Sequence, residues 1–380
     1  MTPKPIICGI AGTEVTEKEK EFYSEINPLG FAVFKKNLIN KDQARSLCKS
    51  LREILGREDA PILIDQEGGS VYRMTEPEWP IFYSPLELAK FAYSDIDHAL
   101  ERTKDLVSLN ATLMAYHMKE IGVNVNCAPV ADLLIENSHH ITGTRSSGPN
   151  PEITSSLVNS IANGFITNGV QAVIKHMPGQ GRANVDSHIK LPVVTDRLEM
   201  LEEKDFLVFK NAKNVEWAMT SHILYESLDP SSPVTYSKKA IEYIRNKIGF
   251  KGVLISDCLT MQSLKESYGE KASKAIKSGH DLVFFGRCVF SEIEEIAREI
   301  PNLSAADFER IQQSFKHIKN PSDGNYEKTL DQYNALMGSI QKEFSEISES
   351  RYSEDLKFIM NTIHERNKKT ADYSSPLYKA

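Results

Sequence analysis

Cysteine pairs, excess positive charge and long apolar runs are all missing from this sequence. The five cysteines among 380 residues are scattered, odd in number and free of C-x-x-C spacing, which favours a reduced, cytoplasmic protein over a disulfide-bonded one. The net charge is -7, so no basic stripe is available for nucleic acid. No apolar run approaches the roughly 18–20 residues that span a bilayer. The sequence therefore predicts neither a nucleic-acid partner nor a membrane span.

Patterns for metal ions and phosphate groups are also scarce. His176 and His188 lie twelve residues apart, H-E-x-x-H does not occur, and the first predicted strand has no histidine. The glycine-rich segment after Lys175 could cradle phosphate, but it lacks the spacing of a P-loop. We therefore expect neither a metal ion nor another cofactor.

Eight short apolar runs alternate with segments of helical periodicity. Continuous apolar strands are typical of parallel sheets that helices cover on both faces. Eight such units predict a (β/α)8 TIM-type barrel. The alternative, a doubly wound open sheet, is weaker because no G-x-G-x-x-G turn follows the first strand. The runs are PIICGIAG, GFAVFKKN, PILIDQEGG, VNVNCAPVADL, VQAVIKHM, EWAMTSHI, GVLISDCLTM and HDLVFFG.

Polar side chains follow four of the predicted strands. Asp65 follows PILI, and the segment 175–188 follows a strand that we end at Ile174. His222 comes just after AMT, and Asp257 follows GVLIS. A helix cap could explain any one of these residues but not the whole set. Because the carboxyl ends of barrel strands converge on one face, we expect these groups to form an active site there.

Five stretches carry a more specific pattern: IDQEGGSVYRM (64–74), APVADL (128–133), GTRSSG (143–148), KHMPGQGRANVDSH (175–188) and GFKGVLISDCLTM (249–261). In these stretches and their order the sequence resembles the β-N-acetylhexosaminidases of glycoside hydrolase family 3, of the cytoplasmic type used in peptidoglycan recycling. The resemblance spans most of residues 5–290. It implies a hydrolase that removes terminal β-linked N-acetylglucosamine, with GlcNAc-1,6-anhydroMurNAc fragments, with or without peptide, as substrate.

The resemblance also implies the roles of individual residues. Asp257 in ISDCL would be the nucleophile, and His188 in DSH the acid/base, paired with Asp186. The residues that would hold the terminal N-acetylglucosamine are Asp65, Arg73, Arg145, Lys175 and His176.

The sequence departs from the family pattern at three positions. Gln180 stands where the loop usually has a histidine, Ser147 stands where an aromatic residue is usual, and Cys258 follows the nucleophile where Asp or Ala is common. None of these departures removes a catalytic group, although the first two could alter loop packing or substrate fit.

General chemistry supports the same assignment. Retaining cleavage needs a carboxylate at the anomeric carbon and a proton donor at the leaving oxygen. Asp257 ends a buried strand, so its carboxylate can be aimed. Histidine titrates near neutrality, which suits His188 as an acid and then a base, and Asp186 can orient its ring. The G-Q-G run would let the loop open and close.

Two other functions fit the same residues. The first is a β-N-acetylglucosaminide phosphorylase, since a histidine acid/base repels an incoming phosphate less than a carboxylate does. The second is a sugar-binding barrel without catalysis, against which the intact Asp257, Asp186 and His188 count. Comparing phosphate with water as the acceptor would separate the hydrolase from the phosphorylase, and any turnover would exclude the sugar-binding barrel.

The chain is predicted to divide into a catalytic barrel over residues 1–320 and a helical extension over residues 321–380. Apolar residues of the extension fall on two helical faces. A hairpin packed on or near the barrel is the favoured interpretation, and a partner-binding tail is the alternative. No pattern sets the oligomeric state, and a monomer is our default expectation. The apolar residues are Tyr333, Leu336, Met337, Ile340, Phe344 and Ile347, then Leu356, Ile359, Met360 and Ile363.

Overall fold

The computed structural model describes residues 2–136, 139, 142–316, 318 and 325–369. Eight of its strands are parallel: β1 (Lys4–Gly9), β2 (Pro28–Ala32), β3 (Ile62–Ile64), β4 (Val125–Asn126), β5 (Gln171–Met177), β7 (Trp217–Thr220), β9 (Val253–Cys258) and β10 (Leu282–Phe285). They close a barrel in the order β1-β10-β9-β7-β5-β4-β3-β2. Two short strands, β6 (Val193–Val194) and β8 (Leu224–Tyr225), pair with each other outside the barrel.

The closed barrel confirms the predicted fold class and excludes the open sheet. All eight predicted apolar runs contribute a barrel strand. Every neighbouring pair is parallel, from Ile6 opposite Val283 on one side of β1 to Cys8 opposite Phe31 on the other. Closure follows from the sequence because strands that are apolar on both faces need a filled interior and a covered exterior.

Helices cover the outside of the barrel. Several of them begin where a side chain accepts a hydrogen bond from the first turn, as at the capping boxes of Thr16 with Glu19 and of Ser267 with Glu270. Within the described residues the helices are α1 (Glu17–Ile26), α2 (Lys41–Leu55), α3 (Pro85–Ala89), α4 (Ala99–Glu120), α5 (Pro151–Ile166), α6 (Leu198–Glu203), α7 (Asp205–Lys210), α8 (Lys238–Tyr243), α9 (Tyr268–Ser278), α10 (Phe290–Glu299), α11 (Ala305–Ser314), α12 (Tyr326–Ser345) and α13 (Glu354–Lys369).

Helix α11 closes the amino-terminal end of the barrel. Its residue Ile311 is buried in the same apolar cluster as barrel-interior residues such as Val173 and Ile255. Trp217, the first residue of β7, donates a hydrogen bond from Nε1 to Ser314 Oγ at 2.8 Å. Because this end is filled, the carboxyl ends of the strands are left as the face on which a site can open.

Helices α12 and α13 pack against the barrel's outer helices. Tyr333, Met337 and Ile340 of α12 are buried in a cluster that also contains Leu106 of α4. Arg102 Nη1 and Glu343 Oε2 form an ion pair at 2.7 Å between α4 and α12. The apolar faces expected in this part of the chain are therefore in contact with the barrel's helices. The division at residue 320 stays a prediction, since residues 319–324 and 370–380 lie outside the described part of the chain.

Two further observations concern the whole described chain. None of the helices in the described ranges has both the length and the apolar character that a membrane span needs. All five cysteines are unpaired, with Cys8, Cys48 and Cys127 buried.

Candidate active site

A cavity of about 790 Å³ opens at the carboxyl ends of the barrel strands. Seven of the eight predicted site residues line it, and the eighth, Asp186, contacts His188 of the lining. The structure therefore brings the predicted residues together, as convergence of strand ends requires. The seven are Asp65, Arg73, Arg145, Lys175, His176, His188 and Asp257.

Strand β5 runs three residues further than the sequence indicated. We ended the strand at Ile174, but its pairing with β7 continues through Lys175 opposite Met219 and Met177 opposite Thr220. The polar side chains of Lys175 and His176 interrupt the apolar pattern, whereas the ladder depends on the backbone. Lys175 and His176 consequently belong to a strand and not to a loop, so their backbone is held by the sheet.

Asp257 is the last residue but one of strand β9 and lines the cavity. Its Oδ1 accepts a hydrogen bond from the backbone N–H of Cys258 at 2.7 Å. Burial raises the pKa of Asp257, but the nearby imidazoles of His176, His222 and His188 outweigh that effect and hold the pKa below its ordinary value. The carboxylate is therefore anionic near neutral pH, as a nucleophile or an electrostatic stabiliser must be.

His188 and Asp186 form a pair on the loop that follows β5. The Oδ1 atom of Asp186 lies 2.8 Å from His188 Nδ1 and also accepts the backbone N–H of His188 at 2.9 Å. Burial raises the pKa of Asp186, but the hydrogen bonds from His188 lower it overall. With Nδ1 engaged by the carboxylate, Nε2 is the imidazole nitrogen that can exchange a proton with a ligand.

Lys175 joins two carboxylates at the bottom of the cavity. Its Nζ lies 2.9 Å from Asp65 Oδ1 and 2.6 Å from Glu67 Oε1. Asp65 also accepts from Arg73 Nη2 at 3.1 Å, and Glu67 accepts from Arg145 Nε and Nη2 at 2.8 and 2.9 Å. The five charges thus form one continuous network.

The network keeps its carboxyl groups ionised. Burial raises the pKa of Glu67, but Arg145 and Lys175 outweigh it and lower the pKa to about 2. Burial likewise raises the pKa of Asp65, while Lys175 and Arg73 bring it well below its ordinary value. Only 1% of the Glu67 side chain and 3% of the Lys175 side chain are exposed. Both carboxylates of the network are therefore negatively charged at physiological pH.

Glu67 and Asp132 are site residues that the sequence analysis did not select. Asp132 accepts hydrogen bonds from the backbone N–H of His176 at 3.1 Å and from the backbone N–H of Gln180 at 2.7 Å. Its Oδ2 atom also lies 2.7 Å from His176 Nδ1. It thus fixes both the imidazole of His176 and the start of the loop. A signal for both residues was present, since Glu67 lies in DQEGG and Asp132 in APVADL.

Two consecutive glycines follow Glu67 and make its position attainable. Gly68 and Gly69 have φ angles of 91° and 61°, in the left-handed region. A Cβ atom at Gly68 would lie 2.3 Å from the Tyr83 carbonyl oxygen, and one at Gly69 would lie 2.3 Å from Ser84 Cβ. Only glycine therefore permits the tight return of the chain after Glu67.

Gln180 occupies the cavity wall with its side chain almost fully buried. Its backbone, not its side chain, anchors the turn by donating to Asp132. Its Oε1 has no hydrogen-bond partner among the described residues. The main chain of Gln180 therefore holds the start of the loop.

His222 is fully buried behind Asp257. Its Nδ1 lies 2.6 Å from Thr235 Oγ1 and its Nε2 lies 3.1 Å from the Cys258 carbonyl oxygen. Burial lowers the pKa of His222. Because both ring nitrogens are engaged, this histidine supports the segment that carries Asp257. Within the described ranges, no group of three or more His, Cys, Asp or Glu side chains has an arrangement that could hold a metal ion.

The chain matches known proteins over most of its length. The description of the matching family is the N-terminal domain of glycosyl hydrolase family 3, over residues 12–320. A β-hexosaminidase of Thioalkalivibrio sulfidiphilus is 30% identical over 311 residues, which cover 80% of this chain and 85% of that protein. A β-hexosaminidase of Stenotrophomonas maltophilia (strain K279a) is 28% identical over 274 residues, covering 70% and 78%.

Solved structures show the same fold. NagZ from Neisseria gonorrhoeae, in complex with N-trifluoroacetyl-D-glucosamine, aligns with a TM-score of 0.76 at 24% identity, over 90% of this chain and 98% of that one. The matches confirm the resemblance that the sequence stretches indicated. Because the family match covers the barrel and its cavity, this chain belongs to glycosyl hydrolase family 3 and is a glycoside hydrolase.

Proposed function

We propose that this glycoside hydrolase is a retaining β-N-acetylhexosaminidase that releases terminal β-linked N-acetylglucosamine. The observation that carries the proposal is the placement of Asp257 and of the His188–Asp186 pair at one cavity. A carboxylate and a proton donor at the same cavity are the two groups that retaining cleavage requires. The choice of sugar is supported by the names of the curated relatives.

In the first step Asp257 is the nucleophile. Its carboxylate attacks the anomeric carbon, a glycosyl–carboxylate bond forms, and the bond from that carbon to the leaving oxygen breaks. His188 gives its Nε2 proton to the leaving oxygen. In the second step His188 takes a proton from water, the hydroxide attacks the anomeric carbon, and the Asp257 carboxylate departs. Two inversions at one carbon give net retention.

Asp186 is the positioning residue for this proton transfer. Its bond to Nδ1 selects the tautomer that presents Nε2 and stabilises the imidazolium before it donates. The pKa of Asp186 is below its ordinary value, so the carboxylate stays charged throughout the cycle. The pair can therefore supply the proton without a second carboxylic acid.

The buried network is the proposed holder of the terminal sugar. Its cations are already matched by carboxylates, as Arg145 is by Glu67 and Lys175 by both Asp65 and Glu67. Such a surface offers strong donors and acceptors to a neutral sugar without presenting a large uncompensated charge. We assign Asp65, Arg73, Arg145, Lys175 and His176 to this role.

The proposal extends to the natural substrate and to the compartment. We take fragments with GlcNAc-1,6-anhydroMurNAc, with or without peptide, as the substrate, and the cytoplasm as the location. The family stretches of the peptidoglycan-recycling type support the first, and five unpaired cysteines support the second.

The test is turnover of a chromogenic N-acetylglucosaminide with and without inorganic phosphate. We expect release of free N-acetylglucosamine in both buffers, whereas a sugar 1-phosphate formed only with phosphate would instead establish the phosphorylase. Asp257→Asn should lower kcat by at least about three orders of magnitude, because no other group can replace the nucleophile.

Two controls complete this experiment. Asp42→Asn makes the same chemical change on a side chain that is 91% exposed, and its turnover should stay within about twofold of the wild type. A slow fluorinated N-acetylglucosamine substrate should leave its label on Asp257. A label on Glu67, or full turnover by Asp257→Asn, would refute the assignment.

A further inference from the structure

A second cavity of about 560 Å³ lies beside the candidate active site. One chain segment separates the two cavities: Met261 and Gln262 line the active site, and residues 263–266 line the second cavity. The loop 231–233 and one face of helix α9 complete its wall. The second cavity therefore shares a wall with the catalytic one.

This cavity carries positive charge in a chain whose net charge is -7. The described residues that line it include four lysines and one glutamate, namely Lys238, Lys265, Lys274, Lys277 and Glu266. Glu266 is already engaged by Lys274 Nζ at 2.6 Å and by the Tyr236 hydroxyl at 3.0 Å. Within the described chain Lys265 and Lys277 make no ion pair, so their charge is not compensated locally.

A buried hydroxyl also lines the cavity without a partner. The residue Ser263 is 5% exposed, and its Oγ has no hydrogen-bond partner among the described residues. The neighbouring Ser278 differs, because its Oγ donates to the carbonyl of Thr235 at 3.0 Å or of Ala275 at 2.7 Å. A buried hydroxyl is normally hydrogen-bonded, so the Ser263 Oγ is a hydrogen-bonding group that no described residue uses.

We propose that this second cavity binds a small oligoanion, a ligand with carboxylate or phosphate groups, between Lys265, Lys277 and Ser263. Flexible ammonium groups suit such anions as point charges, and the hydroxyl adds a directional donor. The ligand is either a free anion or an anionic group of the aglycone of a bound substrate.

The site is connected to the catalytic loop by one hydrogen bond. The backbone N–H of Gln262 donates to the His188 carbonyl oxygen at 2.8 Å. A ligand that contacts residues 263–265 restrains the neighbouring Gln262, and the Gln262 N–H restrains His188. Binding and turnover are then coupled, and the coupling is reciprocal. This coupling rests on the proposed role of His188, whereas the anion site itself does not.

Isothermal titration calorimetry with citrate at low ionic strength tests the site without any need for turnover. We expect the wild type to bind citrate, and the double variant Lys265→Gln/Lys277→Gln to bind at least tenfold more weakly. Ser263→Ala should weaken binding by about threefold or more. The matched control is Lys328→Gln/Lys342→Gln, which removes two exposed charges from helix α12 and should bind as the wild type does.

Two results would overturn the proposal: no citrate binding by the wild type at 10 mM or so, or unchanged binding in the Lys265→Gln/Lys277→Gln variant, which would place the anion elsewhere.

Turnover assays then identify the source of the ligand. If the site serves a free anion, citrate should change kcat on a neutral chromogenic substrate in the wild type but not in the Lys265→Gln/Lys277→Gln variant. If it serves the aglycone, the double variant should raise KM only for substrates with carboxylated aglycones. Absence of all turnover would contradict the proposed function while the calorimetry still decides the anion site.

Discussion

At the scale of single residues, Lys175 is where the buried charges of the active site converge. Burial lowers the pKa of Lys175, but Asp65 and Glu67 raise it above its ordinary value overall. Each carboxylate is in turn kept ionised by the cations around it. A buried charge is tolerated only when its partners are present, so these residues are interdependent in stability.

The variant Glu67→Gln tests this interdependence. We expect a loss of about 3–5 kcal/mol in the free energy of unfolding, because Arg145 and Lys175 lose a shared buried counter-ion. Urea denaturation measures the change. The control Glu53→Gln removes the same charge from an exposed pair with Lys49 and should change stability by less than about 0.5 kcal/mol. Equal effects of the two substitutions would contradict the network.

His188 and Asp186 are tested by the leaving-group dependence of the rate. His188→Ala should slow substrates with poor leaving groups by about two orders of magnitude more than activated aryl substrates, because only the poor ones need the proton. Asp186→Asn should show a smaller effect of the same kind, with a shifted pH profile. If both substrate classes lose the same factor, His188 binds substrate and is not the acid.

At the scale of elements, the loop after β5 is held at both of its ends. Asp132 anchors its beginning through the Gln180 backbone, and Gln262 anchors its end through His188. In the middle, Arg182 Nε lies 2.7 Å from Asp205 Oδ2 on helix α7. The loop is thus attached to three different parts of the barrel, which explains how a segment with two glycines can still position an imidazole.

Helix α12 offers a stability test of the C-terminal part of the chain. Ile340 is completely buried, so Ile340→Ala should cost about 2–5 kcal/mol of unfolding free energy if α12 is packed on the barrel in solution. Gly338 is exposed in the same helix, and a Cβ there would meet nothing within 4 Å. Gly338→Ala should therefore add about 0.5–1 kcal/mol.

Urea denaturation of Ile340→Ala and of Gly338→Ala measures the change in the free energy of unfolding for each variant. Stabilities unchanged from the wild type would show that α12 does not contribute to the folded barrel, and would favour the partner-binding tail.

At the scale of the whole molecule, the buried carboxylates link stability to pH. The pKa of Glu67 is lowered in the folded state to about 2, so its stabilising effect is complete above its unfolded value near 4.5 and is lost as the pH falls toward 2. Asp65 acts in the same direction. We expect the free energy of unfolding to fall by up to about 1.4 kcal/mol per pH unit for each such group between pH 4 and 3.

Comparing the wild type with Glu67→Gln by denaturation at several pH values isolates this contribution. The variant should show a shallower loss of stability over the same interval, since one of the carboxylates is absent. Parallel pH curves for the two proteins would contradict the lowered pKa of Glu67.

The sequence by itself determined the barrel and the face on which chemistry occurs. Eight apolar runs have few ways to bury both faces, and a closed parallel sheet with outer helices is the solution that this chain adopts. The order of the strands then brings Asp65, Lys175 and Asp257 to one end, because parallel strands all point the same way. Four of the five family stretches include or closely follow the end of a barrel strand, and only GTRSSG (143–148) lies away from one.

The tertiary structure alone decided which side chains pair. Nothing along the chain indicates that Lys175 contacts Glu67 as well as Asp65, or that Asp132 binds both His176 and Gln180. Apolar periodicity also ended β5 three residues early, because the ladder depends on backbone hydrogen bonds that polar residues make equally well. Hydrophobic pattern is a local property of the chain, whereas ion pairing and cavity shape depend on distances between strands that are remote in sequence.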